Sequence, residues 1–322
     1  MPVARFVAAV PATSDWPTLR AACRTAEAHG FDGFARPDHL LAEGALAPPG
    51  TPLLECFTTI AGLVVETSRL RFVQTVACNS FRHPGLLAKM VATLDVMSSG
   101  RIELGLGAGW LAQEYDAYGF DFPPASVRLA QLREALQVVK ALWTGAPIDY
   151  DGRHYRLRGA LCLPCPVQRP RPPILVGGGG NGLLAVAAAE ADVVNIVPPT
   201  ARGGADAETA RRFTLDRFRR KADRVRELAA GREVAISAMM FVHQTGSDAE
   251  TAAALDAVAA RYRLARKEAE RFPLVVAGTA AALRERIAER IALLGLAHIV
   301  LHFPSVDTLG RFGAEVLPAL RT

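Results

Sequence analysis

The chain is 322 residues long, with 50% apolar and 21% charged residues. That balance excludes a disordered chain, and no window approaches the roughly 18 uninterrupted apolar residues of a membrane helix. Five cysteines do not make a disulfide scaffold, MPVARFVAAVP is too short and too weakly basic for a signal peptide, and the net charge of +5 asks where an anionic partner could sit, so a cytoplasmic chain is expected.

Short β-type runs alternate with longer amphipathic runs along the chain. Arg5–Val10 reads as a strand, Trp16–His29 as a helix stopped by Gly30, and Phe31–Arg36 as a second strand. A Pro/Gly-rich loop leads to a helix over Leu54–Glu66 and a third strand over Leu70–Ala77. Leu86–Met97 is helical, Arg101–Leu106 is a fourth strand, and Ser126–Trp143 is a long helix followed by a hairpin through Asp151-Gly152. Ile174–Val176, Asp192–Val197, Glu233–Val242 and His298–His302 complete the strands. The helices between them cover Leu183–Glu190, Ala207–Ala230, Asp248–Arg271 and Ala280–Leu294, and Val306–Leu317 closes the chain.

Strands joined through helices must be parallel. Eight of them in a chain somewhat above about 250 residues predict a (β/α)₈ TIM barrel, one domain over 1–322 with loop insertions. A doubly wound open sheet is the alternative. In a barrel, chemistry belongs at the C-terminal strand ends. Those ends carry Arg36-Pro37-Asp38-His39, Thr75–His83, Gly105–Trp110, Gly177–Gly182, Asn195, His243 and His302. The opposite ends offer nothing comparable.

The run Gly177-Gly178-Gly179-Gly180-Asn181-Gly182 lies between a strand and a helix, where free backbone N–H groups favour an anion such as a phosphate. It satisfies G-x-G-x-x-G, but the next strand ends Asn195-Ile196-Val197-Pro198 without the acid a dinucleotide site needs. Gly105-Leu106-Gly107-Ala108-Gly109 leaves room for a flat ring against backbone, or only for barrel packing. His39, beside Asp38, is the candidate for proton work near neutral pH. Cys162-Leu163-Pro164-Cys165 is a single CxxC with no second ligand pair, so no metal is expected.

Several stretches together are familiar: Gly30–Asp32 with Asp38-His39, Arg82-His83-Pro84, Leu87–Leu94, Asp95 through Trp110 with Glu114, and Pro172–Gly178. This pattern resembles the bacterial-luciferase-like monooxygenase family, and within it the deazaflavin (F420)-dependent oxidoreductase branch. The resemblance implies a barrel with F420, or alternatively FMN, in its mouth, and a homodimer acting on a small organic molecule. It implies His39 as the catalytic histidine, with Asp38 beside it among the cofactor-binding residues. Thr75-Val76 is implied as a strand bulge, often a non-prolyl cis peptide, under the ring. Cys78 and Asn79 are implied as ring and tail contacts, Gly107, Ala108 and Gly109 as backing for the ring, and Gln113 as a tail contact. Gly177, Gly178, Gly179 and Gly180 are implied as the phosphate-binding backbone.

One position departs from the branch. Its sugar-phosphate dehydrogenases carry a catalytic glutamate where this chain has Trp110, so Trp110 is read as an apolar wall of the substrate pocket. An FMNH₂-dependent monooxygenase and a flavin-binding barrel without turnover remain alternatives. Substrate-setting loops fall at 43–53, 198–206 and 264–279. Nucleic-acid partners are not expected, since that reading rests only on net charge, and no membrane partner is expected; the charge itself is concentrated, with eight Arg/Lys and two Asp in 211–226. That stretch reads as an amphipathic helix with a basic face, where Arg211 or Arg212 is placed to attract the acidic tail of F420.

Overall fold

Along the first strand the side chains alternate in their surroundings, as a period of two requires. Phe6 and Ala8 join the large apolar layer shared with the outer helices, whereas Val7 and Ala9 join a second cluster with Ala35, Val73, Leu175, Val193 and Val300. The second cluster is the barrel interior. The computed structural model describes residues 4–42, 47–199 and 207–321.

The parallel strands are β1 Arg5–Ala9, β2 Gly33–Arg36, β3 Arg71–Gln74, β4 Ile102–Gly107, β5 Ile174–Gly178, β6 Val193–Ile196, β7 Ala235–Gln244 and β8 Leu296–His302. Each pairs with the next, and β8 returns to β1 with Ile299 opposite Phe6 and Leu301 opposite Ala8. The ring is therefore closed. The expected TIM barrel is the fold, and the open-sheet alternative fails because an open sheet would leave β1 and β8 as edges.

Several boundaries differ from expectation. β3 stops at Gln74, the Thr75–Val76 peptide is cis, and Ala77–Cys78 resumes pairing beside Leu106 and Gly107. The expected helix over 207–230 is two helices, Ala207–Arg212 and Leu215–Leu228, because the Thr214 side chain caps the second. The expected helix over 248–271 breaks at Arg263, whose φ is +50°. Val275–Gly278, read as loop, is a strand beside the far half of β7, with Phe241 opposite Val275 and Gln244 opposite Gly278. Four residues carry no resolvable period, so only the tertiary edge reveals it. A hairpin joins Ile148–Asp151 to Arg156–Ala160 as expected. Of the substrate-setting loops, 43–46 and 200–206 lie outside the described residues. Among the described residues no helix is long and apolar enough to cross a membrane.

The N-terminal end of the interior is polar and largely paired, although Glu103 Oε2 and His298 Nε2 make no hydrogen bond to a described residue. Glu103 accepts from Arg71 at 2.7 Å and from Arg5. Burial alone would raise its carboxyl, but the surrounding cations hold it below the ordinary range. Asn195 donates to Ser237 at 2.8 Å, and Ser237 lies 2.9 Å from Nδ1 of His298. Asn195 is thus drawn into this interior chain and is not presented at the mouth.

Candidate active site

The turn after β2 is anchored from below. Arg36 is fully buried and donates to the Ala12 carbonyl at 3.0 Å. Asp38, also buried, takes a two-pronged contact from Arg82 at 2.7 and 2.9 Å and the Cys78 N–H at 3.0 Å. Burial raises the Asp38 carboxyl above its ordinary value, and Arg82 opposes that rise. Asp38 was expected among the cofactor contacts. Its oxygens lock the β2 turn to the β3 turn. Arg82 also reaches Glu55 at 2.6 Å and stacks over Phe57.

His39 projects from this anchored turn. Its Nδ1 lies 3.1 Å from both carboxylate oxygens of Glu114, on the helix Ala112–Tyr118. Glu114 is buried, and its Oε1 also accepts the N–H groups of Leu40 at 2.6 Å and Leu41 at 3.2 Å. An ionised carboxylate only accepts, so the network assigns the proton to Nδ1 and leaves Nε2 as the free ring nitrogen. Nε2 makes no hydrogen bond to a described residue. The Trp110 ring stands edge-on to His39, with centroids 5.5 Å apart.

Glu114 is part of the pattern that carries the resemblance but is given no role by it, whereas its neighbour Gln113 is implied as a tail contact. Gln113 is exposed on the outer face of that helix. The signal for Glu114 was present: Leu111, Glu114 and Tyr115 are the buried positions at i, i+3 and i+4, and an acid on a buried face needs a partner.

Val76 stands against two glycines. A Cβ on Gly107 or on Gly177 would come within 2.7 Å of a Val76 methyl. Both residues are glycine because Val76 packs between β4 and β5, against the interior cluster. Gly107 was expected to back a ring and Gly177 to bind phosphate, both through backbone; at each, the side where a Cβ would stand is filled by Val76. Gly179 is held by the 197–199 turn, since a Cβ there would sit 2.0 Å from the Val197 carbonyl oxygen.

Gly180 differs from its neighbours. Nothing lies within 4 Å of a Cβ built on it, and it precedes the helix Asn181–Glu190 with no side chain capping that helix. Uncapped N–H groups beside open space suit an anion. Gly178 is half-buried beside Leu183.

Gly109 has φ +76°, and a Cβ there would collide with Tyr115 Oη and Cys78 Sγ. Tyr115 Oη donates to Ser80 at 3.0 Å and lies 3.1 Å from Cys78 Sγ. Burial pushes the Cys78 thiol up to about 11, so it stays a neutral thiol. Ala108 is half-buried against the same core.

Among the described residues, several buried polar atoms at the mouth end lack a partner: Thr75 Oγ1, Asn79 Oδ1 and His302 Nε2. Asn79 donates through its amide to Tyr155 Oη at 3.3 Å, which leaves the carbonyl side over. Burial pushes His302 down to about 4, so its Nε2 belongs to a neutral ring. Unpaired buried groups are costly, and a ligand with hydrogen-bonding edges would satisfy them. His83 serves the fold instead, capping the helix Pro84–Met97 by accepting the Gly85 N–H at 3.1 Å. Cys162 and Cys165 are free thiols, and no group of three metal-ligating side chains occurs among the described residues.

The luciferase-like monooxygenase family model matches residues 3–302. An uncharacterised protein of Mycobacterium tuberculosis (strain H37Rv) is 35% identical over 177 residues, 51% of this chain; the match spans only 61% of that relative's length. An F420-dependent glucose-6-phosphate dehydrogenase of Microbacterium testaceum is 30% identical over 322 residues, covering 92% of this chain and 91% of the relative. Among solved structures, an F420-dependent secondary alcohol dehydrogenase in complex with an F420–acetone adduct shares the fold at TM-score 0.80 and 18% identity, with 100% of both chains covered. The match runs through all eight barrel strands, and the chain belongs to the luciferase-like monooxygenase family.

Proposed function

We propose that the protein is an F420-dependent oxidoreductase, one barrel domain over 1–322, that moves a hydride between the deazaflavin and a small organic substrate. The observation that carries this reading is His39 at the barrel mouth, its proton assigned to Nδ1 by buried Glu114 and its Nε2 left over. The name of the Microbacterium relative supports the choice of F420.

The residues present fit the cofactor. Thr75 Oγ1 and Asn79 Oδ1 are buried acceptors without partners, suited to the edge of a ring, and the open, uncapped N–H groups at Gly180 suit a phosphate. F420, when bound, supplies two-electron hydride chemistry. The chain's own residues do the rest: His39 Nε2 takes or returns the substrate proton, Glu114 stabilises the charge left on the ring, and Trp110 walls the pocket against water. Trp110 also sets the substrate class. With an indole in place of an acid, the pocket favours a molecule with an apolar body over a sugar phosphate.

Titrating the purified protein with F420 and with FMN tests the cofactor. F420 should bind well below about 100 μM. Selective binding of FMN with oxygen-dependent turnover would move the protein to the monooxygenase reading. Binding without turnover of any alcohol or ketone would favour the non-catalytic barrel.

A cytoplasmic homodimer completes the reading. Leu86, Leu161 and Leu163 are 55%, 47% and 52% exposed, and Lys89 ties their two segments together by donating to the Leu163 carbonyl. A second copy would cover this apolar patch. Light scattering should report twice the chain mass.

A further inference from the structure

On the helix Leu215–Leu228, Arg217, Arg220, Lys221 and Arg224 recur at i, i+3, i+4 and i+7 and so share one face. That face borders an open groove of about 510 Å³, whose other wall is Asn181, Leu184 and Ala185 of the neighbouring helix. The helix's other basic groups are balanced: Arg226 pairs with Asp223 at 2.8 Å, and Arg219 lies 4.0 Å from the same carboxylate. Within the groove only Arg224 has an acid, Glu227 at 3.0 Å. Among the described residues no carboxylate lies within ion-pair distance of Arg217, Arg220 or Lys221.

The groove is continuous with the glycine loop. Lys221 Nζ donates to the Gly179 carbonyl, and Asn181 follows the open position at Gly180. The uncapped start of the Asn181–Glu190 helix adds positive potential at the same end. Like charges gathered along one groove repel one another, and an anionic occupant relieves that repulsion. Arg211 and Arg212 are engaged elsewhere: Arg211 donates to the Arg263 carbonyl at 3.1 Å, and Arg212 pairs with Glu208 at 2.6 Å.

We propose that this groove is a binding site for an extended polycarboxylate, the oligoglutamyl tail of the deazaflavin cofactor, leading outward from the Gly180 end along Arg217, Arg220 and Arg224. The inference rests on the cofactor reading above. Arg217 to Arg224 spans about 10 Å along the helix axis, so the groove meets successive carboxylates of a chain and not a single anion. FMN, which ends at its phosphate, leaves it unused.

The experiment compares F420 carrying several glutamates with F420-0, which keeps the phosphate and lacks the glutamates. Both are titrated against the wild-type protein and an Arg217→Ala/Arg220→Ala/Arg224→Ala variant, with thermal melts to confirm that the variant folds. The wild type should bind the tailed form about tenfold tighter at low salt, and the preference should shrink at about 0.5 M NaCl. The variant should bind both forms equally, with the wild-type affinity for F420-0. Equal affinities in the wild type, or a preference that survives in the variant, overturns the tail site and leaves the cofactor assignment standing. Failure of both forms to bind overturns the cofactor assignment as well. Salt-sensitive capture of a short DNA duplex without tail preference assigns the groove to nucleic acid and overturns the proposal.

Discussion

Nδ1 of His39 lies 3.1 Å from each carboxylate oxygen of Glu114, and that carboxylate also accepts the N–H groups of Leu40 and Leu41. One buried acid therefore sets the tautomer of the candidate catalytic ring and the path of the loop that carries it. The two roles can be separated by choice of variant.

His39→Ala should lower kcat by about 10² to 10⁴ while cofactor affinity changes little. Glu114→Gln should fold and bind cofactor but lose about tenfold or more in kcat, because a Gln amide can present a donor to Nδ1 and favour the wrong tautomer. Glu114→Ala should in addition lower stability by about 1–3 kcal/mol, since the Leu40 and Leu41 N–H groups lose their acceptor. Steady-state kinetics beside urea melts check all three. Unchanged kcat in Glu114→Gln would remove its positioning role.

The contact between Val76 and the glycines of β4 and β5 predicts a compensating pair. Gly107→Ala alone should destabilise by about 1–3 kcal/mol, because its methyl would meet Val76 at 2.7 Å. Adding Val76→Ala should recover part of that loss, with a coupling of about 0.5–3 kcal/mol in a double-mutant cycle. Gly180→Ala, with nothing within 4 Å, should leave the melting temperature unchanged and weaken F420 binding.

Burial pushes His298 down to about 4 from its ordinary 6.5. A buried neutral histidine binds fewer protons than the unfolded chain below pH 6.5, so stability falls as pH drops from 6.5 toward 4. At pH 5 its share of the loss is about 2 kcal/mol. Urea midpoints at pH 7.5 and pH 5 should show the loss in the wild type and a smaller one in His298→Asn. Equal losses would place the acid sensitivity elsewhere.

Trp110→Ala should raise KM for substrates with an apolar body about tenfold, since the wall beside His39 is lost, with F420 affinity unaffected. A panel of short alcohols and ketones, followed by cofactor fluorescence, reads this directly. A loss confined to kcat would instead give Trp110 a part in holding the His39 ring.

Much of the site was legible as positions and little of it as contacts. His39, Thr75-Val76 and the glycine run stand where the strand ends were expected, because β1, β2 and β4 to β8 start and stop within a few residues of their apolar runs. Which glycines abut a side chain and which border open space was not legible. Gly177 and Gly180 share one run, yet the first abuts Val76 and the second faces open space. Gln113 and Glu114 are adjacent, and the helical turn exposes one and buries the other.

By itself the sequence determined the class of structure. Apolar residues alternating in strands and recurring every three to four in helices can be buried together only in layers, and helices between strands force them parallel. Closure of the ring, the strand at Val275–Gly278 and the meeting of His39 with Glu114, 75 residues apart, were decided by the tertiary structure. The physical reason is that a buried carboxylate, an unpaired carbonyl or a missing Cβ has meaning only against its neighbour in space, and barrel closure chooses that neighbour.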